Sequence, residues 1–269
     1  MESRVRAKKA LSQHFLRDRR VLERMVNYAG LTRRDRVVEI GAGTGVLTRA
    51  LCETGASVIA IEKDTRLVKT YLQPLEKKYG NLRVIEGDAL EIELPEFTKI
   101  VSNLPYRISS EITFRILQKK FRLGILMYQR EFAERMCAGP GETGYGRLSV
   151  NVYWHAECKI LEIVPRGAFY PSPKVESALV QLIPREKPPF EIASTETFSE
   201  IVNLAFQHRR KKMGTILGNY LEDCDPAIPE FLREKNYYDR RPEELSPENF
   251  GEIADWIFKR KRGKTSPKD

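Results

Sequence analysis

Soft metal ligands are scarce in this 269-residue chain, which has three histidines and four cysteines, all scattered. Cys52, Cys137, Cys158 and Cys224 form no C-x-x-C pair, and His14, His155 and His208 stand far apart, so no metal site is expected. Unpaired cysteines of this kind read as reduced thiols of a cytoplasmic protein. No apolar run approaches the roughly 20 residues of a membrane span, and Met1–Lys9 is too charged for a signal peptide. The expectation is a soluble, cytoplasmic chain with no membrane partner. Internal repeats and low-complexity tracts are also missing, which removes solenoids and disordered linkers from consideration.

What is present begins with an ordinary globular composition, 41% hydrophobic and 31% charged. The length allows one large domain with a proper core and a smaller second one. Lys and Arg total 46 against 37 Asp and Glu, a formal charge of +9. That balance favours polyanionic partners, because each cation set on a phosphate releases a condensed counterion.

After a basic arm, Arg4-Val5-Arg6-Ala7-Lys8-Lys9, the positions Val21, Leu22, Met25 and Val26 mark one helical face. Short β-like runs then occupy Arg36–Ile40, Ser57–Ile61, Leu82–Ile85, Lys99–Val101 and Leu123–Tyr128. Helical spacing fills the intervals: Val46 to Glu53, then Leu67 through Leu75, then a helix opening at Ser109 or Ser110 with Ile112, Ile116 and Leu117. This alternation predicts βαβ units and a mostly parallel sheet covered on both faces. Leu148–Trp154 and Ala178–Ile183 follow with no helix between them, predicting an antiparallel edge and seven strands in all. Prolines and charge at 184–189 interrupt the pattern, and helical spacing resumes at Phe198, Ile201, Val202 and Ala205. The reading is an α/β, Rossmann-like domain over residues 1–185 and a small α-helical C-terminal domain over 186–269.

Chemistry concentrates at the ends of the predicted strands. Glu39-Ile40-Gly41-Ala42-Gly43-Thr44-Gly45 places glycines where the backbone turns tightly under a helix N-terminus. A dinucleotide loop wants G-x-G-x-x-G, but position 46 is Val. The G-x-G-x-G spacing after an acid resembles instead the S-adenosylmethionine loop of class I methyltransferases. Glu62, ending the second strand, is placed to accept from two ribose hydroxyls, while Lys63 and Asp64 read as surface neighbours. Asp88 follows the third strand, where a carboxylate can accept adenine amino hydrogens.

Asn103-Leu104-Pro105-Tyr106 ends the fourth strand. An adenine N6 lone pair is delocalised into its ring and attacks poorly. The Asn103 amide oxygen and the Leu104 carbonyl can hold the two N6 hydrogens, favouring a pyramidal nitrogen. Tyr106 offers a ring for the extracted base, and Pro105 fixes the backbone between them. Such catalysis is mostly positioning and electrostatic complementarity.

In their order, these motifs resemble those of the KsgA-type small-subunit ribosomal RNA adenine dimethyltransferases. The likeness opens at Ser12-Gln13-His14-Phe15-Leu16 and runs through Glu39–Thr48, Glu62, Gly87–Leu90 and Asn103–Tyr106. It continues through Tyr145–Val150 and Phe169-Tyr170-Pro171-Ser172-Pro173-Lys174-Val175-Glu176-Ser177, and ends at Phe206–Lys212. It implies dimethylation of the N6 of two adjacent adenines near the 3′ end of small-subunit rRNA, coupled to ribosome biogenesis. S-adenosylmethionine would be the cofactor, and the small subunit or its precursor the partner of a monomer. Gln13, His14, Leu16, Gly41, Gly43, Glu62, Asp88 and Asn103 would contact the cofactor. Asn103, Leu104 and Tyr106 would handle the base, with Phe169 facing Tyr106 to sandwich it. His14 and Ala42, in place of the Asn and Pro of bacterial members, look archaeal or eukaryotic in type.

Arg209-Arg210-Lys211-Lys212 reads on its own as a solvated, dipole-compensating helix end, and in such a family as an RNA-binding tetrad. Three alternatives stand beside the main reading. One is the antibiotic-resistance type of enzyme that methylates a large-subunit adenine; the second is a ribosome-assembly factor without catalysis; the third, a small-molecule methyltransferase, is disfavoured by the basic charge and the helical second domain.

Overall fold

A computed structural model describes residues 14–221 and 227–265, so Gln13, Cys224 and the arm Arg4–Lys9 lie outside the described residues. The chain divides into two compact units, residues 1–133 with 156–184 and residues 134–155 with 185–269.

In the first unit a two-residue strand β1 (Phe15–Leu16) leads into α1 (Arg19–Ala29). Asp18 caps that helix by accepting from the Arg20 N–H at 2.9 Å, and Gly30 ends it with φ 51°. Then come β2 (Arg36–Ile40), α2 (Val46–Glu53), β3 (Ser57–Glu62) and α3 (Thr65–Leu67). A π-helical turn at Val68–Leu72 joins α3 to α4 (Gln73–Lys78). The unit continues with β4 (Leu82–Glu86), β5 (Lys99–Asn103), α5 (Ser109–Leu117), β6 (Leu123–Gln129) and the start of α6 (Arg130–Cys137).

Seven strands form one sheet in the order β4-β3-β2-β5-β6-β9-β7, where β7 is Ala156–Val164 and β9 is Ser177–Pro184. The pairs from β4 to β6 are parallel, and β9 runs antiparallel to both β6 and β7. β8 (Phe169–Tyr170) pairs instead with β1, Leu16 opposite Phe169 and Phe15 opposite Tyr170. The strand order reverses between β2 and β5. In open α/β sheets the crevice beyond the strand ends at such a reversal is where ligands enter.

The lower end of the reversal is fastened by Asp35. Its buried carboxylate accepts from the Thr32 N–H (2.9 Å), the Thr98 hydroxyl (3.1 Å) and Arg122 (2.6 Å), with the Lys99 ammonium at 3.3 Å. Lys99 also donates to the carbonyls of Ala29 and Gly30 at 2.9 and 2.8 Å, satisfying the end of α1.

Two local expectations are corrected. The stretch predicted as strand Leu148–Trp154 is helix α7 (Arg147–His155), and the edge strand is the more polar Ala156–Val164 that follows. The helical bond from the Val150 N–H to the Gly146 carbonyl (3.1 Å) and burial of Val150 with Phe198, Ile201 and Val202 outweigh a β-branched local sequence. Ser109 does not cap α5: the helix is entered through a 3-10 turn at Tyr106–Ile108, and the Ser109 hydroxyl is buried with no partner among the described residues.

The second unit is helical, built on α7, α8 (Thr195–Gln207), α9 (Met213–Leu221), α10 (Ile228–Glu234) and α11 (Pro247–Thr265). Its core joins Phe198, Ile201, Val202 and Ala205 of α8 to Phe250, Ile253 and Ile257 of α11. Segment 134–155 packs with this unit although the sequence pattern attaches it to the first. Among the described residues no helix is long and apolar enough to cross a membrane.

Candidate active site

A cavity of about 420 Å³ opens at the strand-order reversal. Gly41, Gly43 and Gly45, at φ 75°, 60° and 73°, hold left-handed conformations that a side chain would strain. They are also close-packed. A Cβ on Gly41 would stand 3.0 Å from the Pro105 ring, and one on Gly43 would stand 3.1 Å from the Phe15 ring. The loop after β2 is thus clamped between the segment after β5 and strand β1.

The acids are held in distinct states. Glu62, ending β3, accepts from the Gly43 N–H and the Asp64 N–H, both at 2.8 Å. Burial raises its pKa, and those two bonds oppose the rise. Glu39, ending β2, is fully buried and accepts from the Thr48 hydroxyl at 2.6 Å. Burial, opposed by that bond and reinforced by the nearby charge of Glu62, pushes it up to about 8, which favours the protonated form. Asp88 accepts from the Leu90 N–H at 3.0 Å and is ion-paired with Lys63, which holds its pKa below the ordinary value.

At the end of β5 the Asn103 Nδ2 donates to the His14 carbonyl at 3.1 Å. With the amide nitrogen engaged there, the amide oxygen is the atom left to accept. Tyr106 shares a 2.5 Å hydrogen bond with the Ser177 hydroxyl and stacks on the His14 ring, centroids 5.8 Å apart and planes at 27°. The His14 Nδ1 is 2.7 Å from the Pro171 carbonyl. These contacts gather the ends of β1, β5 and the segment after β8 around one opening.

The residues fit an adenosyl sulfonium cofactor. The volume suits a ligand of that size, a side-chain-free cradle leaves backbone open to it, and the acceptors Glu62 and Asp88 line the cavity together with apolar Ala42, Ile61 and Ala89. Among the described residues no cluster of His, Cys, Asp and Glu could hold a metal ion.

His14, Leu16, Gly41, Gly43, Glu62, Asp88, Asn103, Leu104 and Tyr106 all line this cavity, although the sequence spreads them over 93 positions. Phe169 does not. It is 4% exposed, packed in the core with Leu16 and Leu22, and the ring stacked on Tyr106 is that of His14. Residues to which motif reading gave no site role also line it: Phe15, Glu39, Lys63 and Glu111. Lys63 reads locally as a surface lysine, because its partner Asp88 is 25 residues away. The tetrad Arg209–Lys212 forms a turn between α8 and α9 of the second unit. There Arg209 pairs with Glu243 at 2.6 Å and Lys212 with Asp239 at 2.8 Å.

Comparison with known proteins agrees with this geometry. The family model described as ribosomal RNA adenine dimethylase matches residues 4–243. A protein of Methanosarcina acetivorans named "Probable ribosomal RNA small subunit methyltransferase A" is 46% identical over 91% of this chain and 92% of its own. One of Thermococcus onnurineus with the same name is 44% identical over 94% and 93%. Among solved structures, a dimethyladenosine transferase from Plasmodium falciparum superposes with TM-score 0.82 at 30% identity, covering 92% of this chain and 98% of that one. The 23S rRNA methyltransferase ErmE gives 0.68 at 29%, covering 90% and 99%. The match across nearly the whole chain accords with a cavity that joins a clamped G-x-G-x-G loop to an Asn-Leu-Pro-Tyr turn: the chain belongs to the ribosomal RNA adenine dimethylase family and is an S-adenosylmethionine-dependent rRNA adenine methyltransferase.

Proposed function

We propose that the chain dimethylates N6 of two adjacent adenines near the 3′ end of small-subunit rRNA, acting in the cytoplasm as a monomer on the small subunit or its precursor. One observation carries the reading. The turn Asn103–Tyr106 stands in the same cavity as Gly41, Gly43, Glu62 and Asp88, so the residues suited to an amino group adjoin those suited to an adenosyl group. The names of the curated relatives favour the small subunit over the large.

Gly41, Gly43, Glu62 and Asp88, with His14, Leu16 and Gln13, would hold S-adenosylmethionine. That cofactor supplies an electrophilic methyl group when bound. Asn103 and the Leu104 carbonyl accept the two N6 hydrogens and turn the nitrogen lone pair toward the methyl side. Tyr106 takes one face of the purine, and stacking recovers about 1–3 kcal/mol of what unstacking from RNA costs. Phe169 would reach the other face by leaving its packed position. No strong base is required, because a proton on an alkylated amino nitrogen is acidic and leaves to water.

Radiolabelled methyl transfer to under-methylated small subunits, followed by nucleoside analysis, tests the proposal. N6,N6-dimethyladenosine in small but not large subunits is the expected result. Label confined to large subunits would transfer the assignment to the resistance-type reaction, and an Asn103→Ala variant as fast as the parent would overturn the mechanism.

A further inference from the structure

The rim of the cavity carries an aromatic platform that the reaction itself does not use. Tyr170 is 41% exposed, whereas the adjacent Phe169 is buried. The Arg17 guanidinium lies 4.0 Å from the centre of the Tyr170 ring and covers one face. Both residues are fixed to the wall of the site. Tyr170 pairs across β1–β8 with Phe15, a lining residue, and the next carbonyl, that of Pro171, is bonded to lining residue His14. Arg17 and Asp18 donate their backbone N–H groups to Ala168, at 2.8 and 3.2 Å.

Cations outnumber carboxylates in the loop that carries Tyr170. The loop after Val164 is closed on itself by Arg166, whose guanidinium donates to the Lys174 carbonyl at 3.3 Å, and by Ser172, whose hydroxyl donates to the Arg166 carbonyl at 3.0 Å. Arg166 and Lys174 are exposed. The one carboxylate of the loop, Glu176, is taken by Arg130 at 2.9 Å. Among the described residues Arg17, Arg166 and Lys174 have no carboxylate partner. An exposed ring backed by a guanidinium and flanked by unneutralised cations is the combination that binds single-stranded nucleic acid, the ring taking a base and the cations its phosphates. A membrane surface or an acidic peptide would use the cations but would leave without purpose an exposed ring with a guanidinium over one face.

We infer that Tyr170, backed by Arg17, stacks an unpaired nucleobase that neighbours the target adenine, with Arg166 and Lys174 on the flanking phosphates. The inference rests on the RNA substrate argued above and locates where the strand continues outside the cavity. It also suits a substrate with two adjacent targets, since the base not being methylated needs a place to stack.

The test is binding of a short single-stranded RNA that carries two adjacent adenines with 2-aminopurine beside them, read by fluorescence quenching on the full chain. It requires no methyl transfer. The parent should quench the probe. Tyr170→Ala should lose the quenching and bind about tenfold more weakly, and Tyr170→Phe should restore both. Arg166→Ala and Lys174→Ala should weaken binding, flatten its salt dependence and leave quenching intact. Because Tyr170 is exposed, these variants should keep the parent's melting temperature and S-adenosylmethionine affinity. A parent that does not quench, or a Tyr170→Ala variant that binds and quenches like it, overturns the platform. Absence of methylation by the parent, with quenching intact, would instead overturn the proposed reaction.

Discussion

The hydroxyl of Tyr106 sits 2.5 Å from that of Ser177, 71 residues away and fully buried in strand β9. This cavity-lining ring is therefore held at its far end by the antiparallel part of the sheet. Removing one partner of a buried hydrogen bond leaves the other unsatisfied, at about 1–3 kcal/mol, whereas removing both costs less. Ser177→Ala should lose stability by about that amount, and the double variant with Tyr106→Phe should lose less than the sum of the single changes. Denaturant unfolding of the four proteins measures this, and strictly additive losses would show the contact to be energetically empty.

Asp35 sets the acid limit of the fold. Burial pushes its pKa up, but the Thr32 and Thr98 hydrogen bonds and the charge of Lys99 outweigh that and bring it from 3.8 down to about 2. A depressed acid contributes stability above its unfolded pKa and loses it as the pH falls through the folded value, so the contribution is full above pH 4 and fades toward pH 2. It amounts to about 2 kcal/mol. Asp35→Asn should be less stable at pH 7 by at least that much, and the gap should narrow in melts carried down toward pH 2.

Glu39 has the opposite sign. Its folded pKa of about 8, against 4.5 ordinarily, means that its protonated form is the one the fold accepts. Stability from this group is present below pH 4.5 and drains away as the pH rises toward 8. Glu39→Gln keeps a neutral side chain that still accepts from Thr48, so its melting temperature should change less than the parent's between pH 5 and 9. A parent and variant with parallel profiles would exclude a buried neutral acid here.

Of the acids facing the cavity, Asp88 should matter more for the cofactor than its partner. Lys63 is 58% exposed, and exposed ion pairs contribute little. Calorimetric titration with S-adenosylmethionine should find Asp88→Ala weakened by about tenfold, as expected for loss of hydrogen bonds worth about 1.5 kcal/mol. Lys63→Ala should stay within about threefold of the parent.

The basic turn of the second unit should act unevenly. Arg209 and Lys212 already face carboxylates, whereas Arg210 and Lys211 have none among the described residues. Each phosphate contact to a single strand contributes about 0.7 to the slope of log affinity against log salt. Alanine at Arg210 and Lys211 together should lower the slope by more than alanine at Arg209 and Lys212.

Most of the cavity was legible because its residues sit at strand ends, where glycine, acid and Asn-Pro signals are local. The edge of the sheet was not. Leu148–Trp154 looks like a strand by itself, and only the apolar surface of α8, some 50 residues downstream, makes it a helix. The same limit hid the pairing of Lys63 with Asp88 and of Tyr106 with Ser177, which depend on strands brought together by topology. Phe169 illustrates the converse. A motif assigns it to the substrate, while its packing with Leu16 and Leu22 places it in the core of this conformation.

The order of the sheet governs when the enzyme can first become competent during synthesis. β9 lies between β6 and β7, yet it leaves the ribosome after both. Until about residue 184 has emerged, β6 has an open flank, β7 has no neighbour to bond, and Ser177 has not reached Tyr106. The N-terminal strand waits as well, for residues 169 and 170. A nascent chain halted at residue 133 therefore holds every lining residue of the cavity but neither β8 to fix β1 nor Ser177 to hold Tyr106, and should bind the cofactor more weakly than the full chain. Interrupted translation would release a fragment with an exposed sheet edge, which is prone to aggregate.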